Sequence, residues 1–154
     1  MNFPLFIDLK EKKVLIVGAG AIAARRATVL VEFGATVTVV APEAGSGVQE
    51  LAQSGRLAWK RHAFGTQDLE TLGQSFLVIA ATSDPAVNDH IVQLCHERHI
   101  PVNHAGDQNQ CDFQFPAIVR NDPVVIGVNA GGKDHGLVKR VAAGLREWIA
   151  RTKF

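Results

Sequence analysis

The stretch "KKVLIVGAGAIAARRATVL", residues 12–30, constrains the fold of this chain more than any other. Val14, Leu15, Ile16 and Val17 are apolar without a break, as in a strand covered on both faces. Gly18, Ala19 and Gly20 interrupt the run, and an alanine-rich helical stretch follows. With Ala23 at the third position the spacing is G-x-G-x-x-A. Glycines there let the backbone turn sharply and let a diphosphate approach the N–H groups that open a helix. Taken alone, the spacing fits a nucleotide-binding turn and a plain strand-to-helix turn equally.

The pattern continues. After a helix near 21–33, Gly34 serves as a stop and "ATVTVVA" (35–41) reads as a second strand. A short helix around 47–54 and a strand at 56–62 come next, then the apolar strand "SFLVIAAT" (75–82). Asp84 and Pro85 read as an N-cap and a first-turn proline opening a helix to about His99, and "IPVN" (100–103) is a fifth strand. This alternation predicts an α/β protein with a Rossmann-like doubly wound parallel sheet, spanning residues 1–112.

The pattern changes over 113–154. "FQFPAIVR" and "PVVIGVNA" flank "NDP" as a hairpin, and a helix runs from about His135 to Thr152. Its apolar positions Leu137, Val138, Val141, Leu145, Trp148 and Ile149 make one stripe. A hairpin and one amphipathic helix make a poor domain alone. The segment is therefore expected to pack on another subunit, with packing on its own sheet as the alternative.

Composition sets the remaining bounds. A chain of 154 residues buries roughly 70% of its unfolded surface, so neither disulfide nor metal is required. Net charge of +1 gives no argument for nucleic acid or membrane partners, and no apolar run approaches a membrane span. Two cysteines, Cys95 and Cys111, and no basic leader before an apolar stretch predict a reduced, cytoplasmic setting. Cys95 and His99 lie four apart on an expected helix, but without a second pair they predict no metal site.

Ligands of such sheets lie at the carboxyl ends of the strands. That places the cofactor near Gly18–Ala23, Ala41–Glu43 and Ala81–Asp84, including Ala81 and Thr82. Glu43 favours NAD, because a carboxylate repels a 2′-phosphate. Arg25 and Arg26, just past the turn, are either a solvated pair or cations for an anionic ligand.

Several stretches together resemble precorrin-2 dehydrogenases, including the amino-terminal module of siroheme synthases. They are "PLFIDLKEKKVLIVGAGAIAARRATVLVEFGATVTVVAPE", "FLVIAATSDPAVND", "PVNHAGDQNQCDFQFPAIVRNDPVVIGVNAGG" and "LVKRVAAGLREWI", in that order. The resemblance implies oxidation of precorrin-2 to sirohydrochlorin with NAD⁺, in a homodimer joined through the segment after the nucleotide domain. It implies cofactor contacts at Ala21, Ile22, Pro42 and Glu43, and a substrate cleft beside Asn103. Family members place a catalytic aspartate three residues after that asparagine, where this chain has Gly106, with Asp107 next. Asp107, His104 or water then accepts the proton, and Arg25, Lys133, His135, Lys139 and Arg140 are candidates to hold a polycarboxylate. Where relatives have a serine-rich "SSGGTSP" this chain has "NAGGKDHG", with Ala130 at a regulatory serine. Chelatase activity is expected to be low or absent, since the aspartate has moved and the helical domain of many relatives is missing. The rival from another class is a non-catalytic dinucleotide sensor.

Overall fold

A computed structural model describes residues 2–132 and 134–152. They form two compact units, residues 7–113 and the described residues of 1–6 and 114–154.

In the first unit β1 (Lys13–Val17), β2 (Thr36–Val40), β3 (Ala58–Lys60), β4 (Leu77–Ala80) and β5 (Val102–His104) form one parallel sheet ordered β3-β2-β1-β4-β5. The helices are α1 (Ala21–Glu32), α2 (Ser46–Gln53), α3 (Leu69–Gly73) and α4 (Pro85–Glu97). Val14 to Val17 and all of β4 are buried, because both neighbours of β1 pair with it in parallel and helices cover the faces. Chain order reverses direction between β1 and β4, which opens a crevice above their carboxyl ends.

Helix boundaries follow local chemistry. Gly34 stands at a φ of +84°, where an L side chain is strained, and its N–H closes α1 onto Val31. Asp84 Oδ1 accepts from Ala86 N at 2.9 Å with Pro85 behind it, as its sequence predicts. One element was not expected from the sequence, and one expectation needs correction. Residues 66–73 form a 3₁₀ turn and α3 with only Leu69 and Leu72 apolar, too short for a periodic signal. The helix expected to reach His99 ends at Glu97, and His99 lies beyond it at a φ of +56°. Cys95 and His99 therefore do not share one helix, and Cys95 packs in the apolar core, where burial raises its pKa to about 12.

The second unit holds the hairpin β6 (Ala117–Asn121) and β7 (Val124–Val128), with a cis Asp122–Pro123 bond at its turn, and α5 (His135–Arg151). Asp134 caps α5, accepting from Leu137 N at 2.7 Å. Ala142 and Ile149 are buried against Val119, with Leu145 beside them. The single stripe expected on this helix is two. Leu137 and Val141 remain 42% exposed and Trp148 55% exposed, on a face about 110° around α5 from Ala142 and Ile149. Among the described residues no helix is long and apolar enough to cross a membrane.

Candidate functional site

Three backbone segments converge above β1 and β4. Gly18 N donates to Val40 O at 2.9 Å, Ala81 N to Val17 O at 2.8 Å, and Gly45 N to Ala19 O at 3.0 Å. The two glycines of the turn do different work. Gly18 has a φ of +105°, and a Cβ there would strike the carbonyl of Ala81 and stand 2.8 Å from Thr82 N. The fold itself requires that glycine. Gly20 has an ordinary φ of −78°, and a Cβ on it would meet nothing within 4 Å. Packing gives no reason for a glycine at this position, but a ligand approaching the backbone does.

Gly20 is also the N-cap of α1 and supplies no side-chain oxygen to it. The first intrahelical bond runs from Ala24 N to Gly20 O at 2.9 Å. The N–H groups of Ala21, Ile22 and Ala23 precede it and point out of the helix start. No acid occupies the first turn, so nothing there competes with an anion, and Ile22 is 42% exposed. Ala23 is fully buried and lets α1 pack closely on β1. These residues fit the diphosphate of a dinucleotide.

Pro42 and Glu43 are exposed on the loop that follows β2, beside the turn. Thr82 is held on both its backbone and its side chain by Asn88. Its N–H and hydroxyl both reach Asn88 Oδ1, at 3.0 and 2.8 Å, and Asn88 Nδ2 returns a bond to Thr82 O at 3.1 Å. Asn88 was not legible in advance; a buried Asn one turn into α4 carries no motif of its own.

At the end of β5 the expected substrate and catalytic residues separate. Asn103 is 3% exposed; its Oδ1 accepts from Arg26 Nη1 at 2.5 Å, and its Nδ2 donates to Phe113 O at 2.7 Å. Both ends of its amide are bonded within the unit, to Arg26 and to Phe113. Arg26, not Arg25, is drawn inward, and burial lowers its pKa, with the neighbouring Arg25 charge acting the same way. Arg25 is exposed on α1.

His104, the other expected proton acceptor, is held within the same unit. It is 5% exposed, and its Nδ1 already accepts from Gly106 N at 3.0 Å and Asp107 N at 2.9 Å. A ring nitrogen that accepts two N–H groups presents its lone pair to them, which in a neutral ring leaves the proton for Nε2. Asp107 caps a 3₁₀ turn, Gln108–Gln110, through Oδ1 and Asn109 N at 2.9 Å, while Gln110 Nε2 lies 3.3 Å from Oδ2. The Asn109 N–H and then the Gln110 amide hold its pKa below the usual carboxylate range. The group is ionised at neutral pH and retains acceptor capacity on both oxygens.

Lys139 and Arg140 are exposed on α5, in the second unit, with His135 exposed at its start. Lys133 lies outside the described residues.

Strand order, turn and bare helix start define a dinucleotide-binding protein of the Rossmann class. Residues 5–117 match the family described as "Putative NAD(P)-binding". Over 95% of this chain and 70% of its own length, a solved structure titled "SirC, precorrin-2 dehydrogenase" is 31% identical, with a TM-score of 0.79. The "Siroheme synthase" of Photorhabdus laumondii is 42% identical over 84% of the chain, and the "Probable multifunctional siroheme biosynthesis protein HemA" of Ruminiclostridium josui is 41% identical over 95%. The chain belongs to the precorrin-2 dehydrogenase family of NAD(P)-binding oxidoreductases. It spans 27–28% of the length of these two curated relatives.

Proposed function

We propose that this chain is an NAD-dependent dehydrogenase that oxidises precorrin-2 to sirohydrochlorin, acting as a cytoplasmic homodimer in tetrapyrrole biosynthesis. The observation that carries the reading is Gly20, a glycine with an ordinary φ and open space where a Cβ would stand, at the mouth of a helix in a chain of this family. Gly18, Gly20, Ala21, Ile22 and Ala23 hold the diphosphate. Pro42 and Glu43 border the ribose, and the Glu43 carboxylate disfavours a 2′-phosphate. Ala81 and Thr82 would line the same cofactor crevice. Bound NAD⁺ supplies the acceptor for the hydride that leaves the macrocycle.

The reaction removes two hydrogens, one as the hydride and the other as a proton. Asp107 takes the proton: its carboxylate is ionised and within reach of solvent. Arg25, Lys139 and Arg140, with Lys133, supply positive charge for the carboxylates of the substrate. Asn103 acts one step back, by holding Arg26. The exposed face Leu137, Val141 and Trp148 on α5, with Phe3, Leu5 and Phe6 of the same unit, supports the dimer.

Purified protein given precorrin-2 and NAD⁺ should yield sirohydrochlorin and NADH in equal amounts. Dinucleotide binding without turnover would overturn the reading in favour of a sensor. Asp107→Asn should lower kcat by about 10²-fold while dinucleotide affinity holds. Since the Asp107 pKa is depressed, the wild-type rate should lose this base only below the ordinary carboxylate range.

A further inference from the structure

The ring of His104 faces polar groups on both sides. Nδ1 gathers two backbone N–H groups, as described above, while Nε2 is buried without a hydrogen-bond partner within range among the described residues. The group it faces is Asp89 of α4, whose Oδ1 stands 3.4 Å away. That same oxygen accepts from Gln110 Nε2 at 2.8 Å, and Gln110 also reaches Asp107. Cys111 Sγ accepts from His104 N at 3.2 Å and closes the other end of the loop. Gly106 sits against the ring: a Cβ there would come within 3.3 Å of His104 Cε1. Imidazole, loop 105–111 and the carboxylates of Asp89 and Asp107 thus form one linked cluster.

We propose that His104 is a positioning residue for Asp107: with its proton on Nε2 toward Asp89, its Nδ1 pins the Gly106 and Asp107 N–H groups and so sets where the Asp107 carboxylate stands at the end of β5. The proposal rests on Asp107 as the proton acceptor. A side chain that only fills the core would need no acceptor at Nδ1. In His104 the acceptor is in place and used twice, which fixes both the tautomer and the path of the backbone.

The tautomer is read directly by ¹⁵N NMR of the imidazole in the full chain. Nδ1 should resonate as an unprotonated nitrogen and Nε2 as a protonated one; a proton on Nδ1 overturns the proposal. Variants supply the second readout. The amide oxygen of His104→Asn stands near the place of Nδ1, whereas the longer side chain of His104→Gln carries its polar atoms past it. His104→Gln should lower kcat by about 10²-fold with KM for NAD⁺ unchanged, and His104→Asn should recover most of that loss. Equal loss in both overturns the proposal, as does a loss confined to thermal stability. In an Asp107→Asn background, His104→Gln should cost kcat nothing further. If Asp107→Asn alone keeps wild-type turnover, the Asp107 reading fails, whatever the NMR shows of the ring. If Asp107→Asn is impaired but His104→Asn is no better than His104→Gln, only the positioning idea fails.

Discussion

The two units of this molecule solve the burial problem differently. In residues 7–113 every central strand is covered, and Leu15, Val17, Val78, Ala80, Val102, Ile91 and Cys95 share one closed core. In the described part of 114–154 the core is Val119, Ala142 and Ile149, with a rim of half-buried residues from the hairpin. One helix over one hairpin has a single face to bury, and α5 carries two apolar faces. The first unit is complete by itself. The second is built as though another surface were to be added.

The glycine turn is where this contrast should break hardest. Gly18→Ala forces a methyl onto the Ala81 carbonyl at a left-handed φ, so the first unit should lose about 3 kcal/mol, read as a shift in the denaturation midpoint. Gly20→Ala should leave that midpoint within about 0.5 kcal/mol, yet weaken dinucleotide binding in calorimetry. If both variants destabilise alike, Gly20 belongs to the fold and the argument for a ligand at that position falls.

Adjacent residues of α5 sharpen the comparison in the second unit. Ile149→Ala opens the small core and should cost about 2–4 kcal/mol of folding stability. Trp148→Ala removes a ring that is more than half exposed, and should change monomer stability by under about 0.5 kcal/mol. Sedimentation should nevertheless show self-association weakened by about 2 kcal/mol, as for a buried aromatic anchor. A Trp148→Ala protein that associates as tightly as wild type would leave the exposed face without its proposed occupant.

Much of this fold was legible from residue pattern alone. Val14–Val17, the Asp84–Pro85 start of α4 and the "NDP" hairpin all announce their structures through local chemistry. Residues 66–73 did not, since two leucines cannot define a period. The stripe on α5 was visible, but which half faces inward depends on where the hairpin lies, and spacing does not encode that. The site divides along the same line. Gly18, Gly20 and the start of α1 are backbone features that a motif records. The burial of Asn103 and the tautomer of His104 follow from Arg26, Phe113, Gly106 and Asp89 meeting them in space, at separations of up to 77 residues. The sequence offers His104 beside Asp107 as a proton acceptor; which group each ring nitrogen faces depends on partners met only in space.

The smallest effect expected concerns Glu43, and it tests the first unit on specificity rather than stability. The residue is exposed on a loop and close to the end of β2. Removing it should leave folding unchanged, since no hydrogen bond or ion pair among the described residues depends on it. In the proposed role its carboxylate would act on a 2′-phosphate through charge across solvent, an effect worth on the order of 1 kcal/mol. Glu43→Gln should therefore narrow the preference for NAD⁺ over NADP⁺ by about five- to tenfold, chiefly by improving the affinity for NADP⁺. The narrowing should shrink as salt is raised from low to physiological ionic strength, because the repulsion is electrostatic. A preference that does not move, or that moves equally at all salt concentrations, would mean that shape rather than the Glu43 charge selects the cofactor.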